Sequence, residues 1–282
     1  MAGLSGATLD ATLSSTPIAK EHRFVNETMV RYARKVHTFD AKVYDPRAVE
    51  KAQKMWLFRM ESEHRSTSVF SALCGQLMEA GASWDMESIV LRMAQDELRH
   101  AEICAEMVVL QGGRARVHVD KPVAPLAVHR DASREECAMR NVVYGSCLSE
   151  TVNCARFVDA IDSMSDPVSI DVTKQLLSDE ALHGQFGFHY LDAWTPWIEA
   201  NPDVRTTMSR YLRFAFAVLE KDLSGRDMKS VTLTSDERAL GIADPVRIQE
   251  IFYTTVEGAI LPALERYGFD AKNSWEKRSL LP

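Results

Sequence analysis

Two short stretches carry the same side chains in the same order: Asp96-Glu97-Leu98-Arg99-His100 and Asp179-Glu180-Ala181-Leu182-His183. On a helix, residues three apart share a face, so the Glu and His of each stretch reach one point in space. A carboxylate and an imidazole aimed at one point are ligands for a metal ion. Two such pairs, completed by one Glu from each of two other helices, hold two metal ions inside a helix bundle. A lone Glu-x-x-His in a chain with 8 His carries little weight, because a solvated surface helix also presents it. The recurrence, with Asp in front both times, is what makes the pattern informative.

The two further carboxylates come from the helices that must position the site. A helix predicted from about 47 to 80 carries Trp56, Met60, Glu63, Thr67, Phe70 and Cys74 at steps of four and three, which is one apolar stripe with Glu63 inside it. Gly81 closes it, and Asp85 is the expected cap of the next helix, which runs to Leu110. On that helix Ile89, Met93, Glu97, His100, Cys104 and Met107 share a face. A third helix starts at Asp131 or Ser133 and carries Val143, Cys147, Glu150, Cys154, Phe157 and Ile161. Ser165-Asp166-Pro167 breaks the chain before a fourth helix, expected to end near Trp194, with Leu176, Glu180, His183, Gly187 and Tyr190 on one side. Roughly thirty residues separate Glu63 from Glu97 and Glu150 from Glu180, the length of one helical hairpin each.

The predicted metal ligands are therefore Glu63, Glu97, His100, Glu150, Glu180 and His183. Each lies in an apolar stripe, where an unpaired charge costs several kcal/mol. Four buried carboxylates need positive charge, and two divalent ions supply it. Carboxylates and imidazoles with open positions suit iron or manganese better than zinc. On the first helix Glu61-x-x-His64 is a competing pair, but its face holds Leu57, Arg65 and Ser68 and is half polar, which favours Glu63. Asp96 and Asp179 are expected to orient the two histidines across the bundle, since ligand histidines usually donate their other ring N–H to a carboxylate, with Arg99 neutralising one of the two. Cys104 and Cys154 stand one turn past His100 and Glu150 and should point at or near the site. As small core residues they also leave room for a substrate.

Elsewhere the sequence predicts an N-terminal arm (1–20) that is loose and is no signal peptide, and a single helical domain (21–282) with its bundle core at about 47–195. Short helical pieces anchored by Phe24, Val30, Tyr32 and Tyr44 are expected before residue 48. Residues 112–130 form a connection of nearly 20 residues without helical period, which a crossover along a bundle explains. Accessory helices are expected over 203–270, with a loop at 224–244 and no strand of consequence. His22, His37, His118 and His129 have no evident partner, and His189 falls off the ligand face. The chain has 282 residues, 46% hydrophobic and 26% charged, with net charge -7. That balance and the lack of a basic stripe argue against nucleic acid, and no apolar run approaches a membrane span. The 5 cysteines contain no Cys-x-x-Cys pair, which fits a reducing cytoplasm.

The order Glu63, Asp96-to-His100, Glu150, Asp179-to-His183 on four successive helices resembles the ferritin-like di-iron carboxylate superfamily. The stretches Glu63-His64-x-Ser66-x-x-x-Phe70 and Glu150-Thr151-Val152 look like a bacterial ferritin-like family of largely unassigned activity. The resemblance covers about residues 50–195. It implies an all-α, ferritin-like four-helix bundle with one long crossover and accessory helices at both ends. The small subunit of class I ribonucleotide reductase has a Tyr four residues after the first ligand His; here that place is Cys104, as in bacterial multicomponent hydrocarbon monooxygenases. Arylamine N-oxygenases of the superfamily have an extra His where this chain has Leu176. Rubrerythrin's Cys-x-x-Cys pairs are absent.

What the resemblance implies for function is a di-iron oxygenase or oxidase that uses O2 to hydroxylate or N-oxygenate a small organic molecule, with manganese as the alternative metal. The chain has no flavin or iron–sulfur motif, so a ferredoxin or reductase is expected to supply electrons, and a homodimer is expected. One rival is a ferroxidase or peroxide scavenger. Ferritins are shorter, and the residues after His183 have no use in a cage. The other rival, a helical scaffold without metal, sits poorly with six filled ligand positions.

Overall fold

The computed structural model of the chain describes residues 7–11, 18, 22, 25–27, 37–121, 123–223 and 228–280. It is mostly helical. Helix α1 (Pro46–Ala80) starts on Asp45, whose side chain accepts from Arg47 N, with Pro46 in the first turn where its missing N–H costs nothing. It ends at Gly81, which adopts the left-handed conformation (φ 75°) that glycine tolerates without strain. Helix α2 (Trp84–Leu110) turns back against α1 after a link of three residues. Ser83, not Asp85, occupies its N-cap, and Asp85 sits in the first turn, where a negative charge favours the helix N-terminus.

A second hairpin follows the long connection. Helix α3 (Arg134–Val142) is capped by Ser133, whose hydroxyl accepts from Glu136 N at 3.3 Å. It passes without a break into a π-helical stretch, Val143–Glu150, and then into α4 (Thr151–Ser163). Helix α5 (Pro167–Ala200) begins at Asp166, which accepts from Ser169 N and from the Tyr44 hydroxyl at 2.9 Å. It does not stop near Trp194: it runs through Pro196 for another turn and a half. The Thr195 hydroxyl donates to the Leu191 carbonyl at 3.0 Å there, so local side-chain bonding accompanies the helix past the proline.

Three expectations need correction. A short antiparallel ladder pairs β1 (Ala7–Asp10) with β2 (Arg116–Val119), so part of the presumed loose arm is tied to the crossover. The stretch 224–244 is not all loop, because α7 (Ser235–Ala239) forms within it behind a capping box made by Thr234 and Glu237. The last helix is segmented into α8 (Pro245–Thr255), a π-helical stretch (Val256–Ile260) and α9 (Leu261–Glu265), with α10 (Ala271–Glu276) added beyond it. Helix α6 (Asp203–Leu223) lies where the sequence placed it. Phe24, Val30 and Tyr32 fall outside the described residues.

The largest apolar cluster joins Phe70, Met93, Val143, Cys147 and Tyr190 of the hairpins to Phe216, Phe252, Ile260, Phe269 and Trp275 of the C-terminal helices. A second cluster, with Trp56, Met60, Cys104, Phe157 and Leu176, fills the other end. The two arms of the second hairpin approach closely at Gly187. A Cβ there would lie 2.8 Å from Cys147 N and 2.6 Å from Cys147 Sγ. Gly187→Ala is therefore expected to lower stability by about 1–3 kcal/mol in chemical denaturation. The control is Gly75→Ala, exposed mid-helix with nothing within 4 Å, which should gain up to about 1 kcal/mol. Equal effects at the two sites would contradict this account of the interface.

Candidate metal centre

Helices α1, α2, α5 and the π-helical stretch Val143–Glu150 each turn carboxylates inward at the same level. Two groups of ligand atoms result, each with all atoms within 4.8 Å of one another. One contains Glu63, Glu97, His100 and Glu180; the other contains Glu97, Glu150, Glu180 and His183. Glu97 and Glu180 belong to both. All six residues singled out from the sequence lie in these groups, and Glu63, not Glu61, is the carboxylate that α1 contributes. Glu63 Oε2 stands 3.9 Å from His100 Nδ1. His64, on the competing face, is half-buried, and burial holds it below the usual imidazole range.

The π-helical stretch was not foreseen. A wider turn rotates the following residues relative to an ideal helix. Glu150 closes that stretch and is buried in the cluster, while Cys147 and Ser146 press against Gly187.

The imidazoles are oriented crosswise. His100 Nε2 donates to Asp179 Oδ2 at 3.4 Å, and His183 Nε2 faces Asp96 Oδ2 at 3.6 Å, too long for a hydrogen bond but close for a charge contact. Each Asp thus serves the histidine of the other hairpin. Arg99 touches both, donating to Asp96 Oδ1 at 2.6 Å and Asp179 Oδ2 at 2.8 Å, where the sequence had assigned it only one. Arg92 adds a contact to Asp96 at 3.3 Å.

This orientation leaves the Nδ1 atoms of both histidines pointing into the acidic groups. His183 Nδ1 lies 3.0 Å from Glu97 Oε1 and 3.2 Å from Glu180 Oε2; His100 Nδ1 lies 3.3 Å from Glu180 Oε1. Neither Nδ1 atom has a hydrogen-bond partner of good geometry, nor do Glu97 Oε1 and Glu180 Oε2, although all are buried. Four converging, unpartnered, buried ligand atoms fit metal ions, which take lone pairs without demanding hydrogen-bond angles. The donor set of carboxylates and imidazoles fits iron or manganese.

Without metal the cluster balances its charge with protons. Burial lifts Glu97 and Glu150 well above the usual carboxylate range, and the neighbouring Glu180 lifts them further. Burial would raise Glu180 too, but hydrogen-bonding and charge contacts with His100 and His183 outweigh it and keep Glu180 ionised. Burial opposes charge on the two imidazoles, yet their carboxylate neighbours win and hold both well above the ordinary value. Asp96 is opposed by burial and held low by His183, Arg99 and Arg92.

Cys104 is fully buried beside Glu63 and Arg59, and burial pushes its thiol well up, so it stays neutral. Cys154 faces Glu150 and Glu180 and is pushed up to about 12, mainly by burial. Sequence reasoning missed Arg59 and Arg156. A signal existed for Arg59, which stands one turn before Glu63 on the same stripe. The other histidines do have neighbours: His22 contacts Glu102 and Asn26, His37 lies 3.2 Å from Asp171, His129 lies 3.2 Å from Asn141, and exposed His118 lies 3.8 Å from Asp120. His189 is exposed.

Two measurements test this site. Glu63→Ala should lose most bound metal by mass spectrometry, and Glu61→Ala little; the reverse ranking would mean that α1 is rotated. The second concerns protons. Groups whose folded-state values are raised contribute stability below their unfolded values that disappears as pH climbs through the folded ones. Chelator-treated protein should therefore lose thermal stability as pH rises above about 6.5, and metal loading should release protons. A metal-free stability that increases over that range would contradict the protonated cluster. No family model matches the chain, and no curated protein or solved structure matches it.

Proposed function

We propose that this chain is a ferritin-like, non-haem di-iron oxygenase or oxidase acting on a small organic molecule. The observation that carries the reading is the pair of ligand groups sharing Glu97 and Glu180, each with one imidazole and one further carboxylate. Glu63 and His100 would hold one iron, Glu150 and His183 the other, with Glu97 and Glu180 common to both; manganese is the alternative. Bound iron would supply the reduction of O2.

The chain's own residues do the rest. Asp179 fixes the His100 ring so that Nδ1 keeps its lone pair toward the centre, and Asp96 does the same for His183. Arg99 holds the two Asp side chains in place. Neutral Cys104 occupies little space beside Glu63 and places no competing charge there. Apolar packing by Trp56, Met60, Phe70 and Cys104 keeps bulk water from the ligands.

A ferroxidase is less well supported. The C-terminal helices bury Phe252, Ile260, Phe269 and Trp275 in the same cluster as the hairpins, so they are part of the fold about the site. The oxygenase reading carries further proposals: a separate ferredoxin or reductase as electron donor, a cytoplasmic setting and a homodimer. Among the described residues no helix is long and apolar enough to cross a membrane.

Oxygen uptake by reduced, iron-loaded protein tests the reaction class. Uptake should require an added organic substrate and yield a product heavier by one oxygen. Uptake that follows free Fe(II) alone would establish the ferroxidase, and protein purified from iron-rich medium without iron would end the di-iron reading.

A further inference from the structure

Arg59, near the acidic cluster, and Arg156, near Arg59, lack an acidic partner among the described residues. Arg59 packs its guanidinium carbon 4.7 Å from the Phe157 ring centroid and 5.2 Å from that of Trp56. Its Nη1 is buried and makes no hydrogen bond. Its charge is felt by Cys104, Glu63 and Glu180, yet no carboxylate among the described residues comes within ion-pairing distance of it. Arg156 follows on α4, next to Phe157, and is half-buried. It forms no ion pair or hydrogen bond among the described residues. Burial, and then the proximity of Arg59, bring Arg156 down to about 10.

That arrangement is costly. The buried Arg59 Nη1 is a donor left unsatisfied, and a second guanidinium nearby adds repulsion. Nor does the metal centre need them. Four ligand carboxylates balance two divalent ions, and Asp96 and Asp179 already have Arg99. The ligand-free fold thus keeps cationic groups beside the site without an anion to neutralise them. Glu63 and Glu180 act on the Arg59 charge from a distance without pairing with it. The planar guanidinium fork matches a carboxylate.

We infer that Arg59 and Arg156 bind the carboxylate of the organic substrate, with Phe157 beneath it and the rest of the molecule directed past Cys104 toward Glu63. The inference rests on the oxygenase reading and names its substrate class: a small organic acid. The arginines bind and orient, and the reacting carbon or nitrogen lies away from the acid group.

The test uses the full chain, both chelator-stripped and iron-loaded. Acetate through decanoate and benzoate are titrated by calorimetry and thermal shift, each against its neutral amide, with inorganic phosphate alongside. At least one carboxylate should bind and raise the melting temperature while its amide does not. Arg156→Gln and Arg59→Gln should each weaken that binding at least about tenfold with metal content unchanged. Because Arg59 also packs on Trp56 and Phe157, its variant can fail to fold, and Arg156→Gln then decides. Without ligand, Arg156→Gln should be at least as stable as the parent, because it removes a repelled, unpartnered charge. A less stable Arg156→Gln, carboxylates that bind no better than amides, or phosphate binding in their place would overturn the inference. Metal content of the same samples separates the two readings. Protein that holds no iron ends the di-iron proposal, whereas iron-loaded protein indifferent to carboxylates ends this one.

Discussion

Arg99 donates from one nitrogen to Asp96 at 2.6 Å and to Asp179 at 2.8 Å, and the centre of the molecule depends on that charge staying in place. Both Asp side chains are buried, and Arg99 bridges them. From there they face His100 and His183, so that the other nitrogen of each ring points at the carboxylate groups. The contacts are reciprocal between hairpins. Asp96 lies on α2 but serves the histidine of α5, and Asp179 lies on α5 but serves that of α2. Neither hairpin completes a group of clustered Glu and His atoms by itself, so the hairpins are coupled electrostatically as well as by packing.

The buried cluster balances its charge with protons. Burial and like charge raise Glu97 and Glu150, carboxylate neighbours raise His100 and His183, and Glu180 is held low between the imidazoles. The site is therefore preorganised in shape before it is in charge. Arg59 and Arg156 present the opposite case, positive groups without an ion-pair partner among the described residues.

The clustering of the six Glu and His residues was legible because helical spacing puts Glu and His three apart on one face, and because the motif occurs twice with the same preceding Asp. Glu63 could be chosen over Glu61 by the apolar stripe of Trp56, Met60 and Phe70. The two hairpins and their crossover followed from Gly81, Ser133 and Asp166-Pro167, which end or start helices for local reasons. The features that stayed hidden depend on tertiary contacts. Nothing in Val143–Glu150 announces a wider turn, which accompanies the close approach of Gly187 to Cys147. The double role of Arg99 needs the second Asp, 80 residues away in sequence, to be placed beside it. Pro196 reads as a terminator, but the helix continues because packing beyond it outweighs one missing backbone bond. The β1–β2 ladder has only four residues on each strand, separated by the whole of the first hairpin, so no local pattern reveals it.

That ladder also sets an order of events. Ala7 pairs with Val119 across more than a hundred residues of chain, whereas the contacts within each hairpin span about thirty. Closing the longer loop costs only about 1 kcal/mol more, because the entropic term grows with the logarithm of length. But the ladder has few bonds with which to offset even that, and its register has meaning only once α1 and α2 stand in place to present the crossover. Those terms make it the piece expected to zip last and open first. In native-state hydrogen exchange, Ala7–Asp10 and Arg116–Val119 are expected to behave as a separate low-energy unit that detaches while the hairpins stay closed.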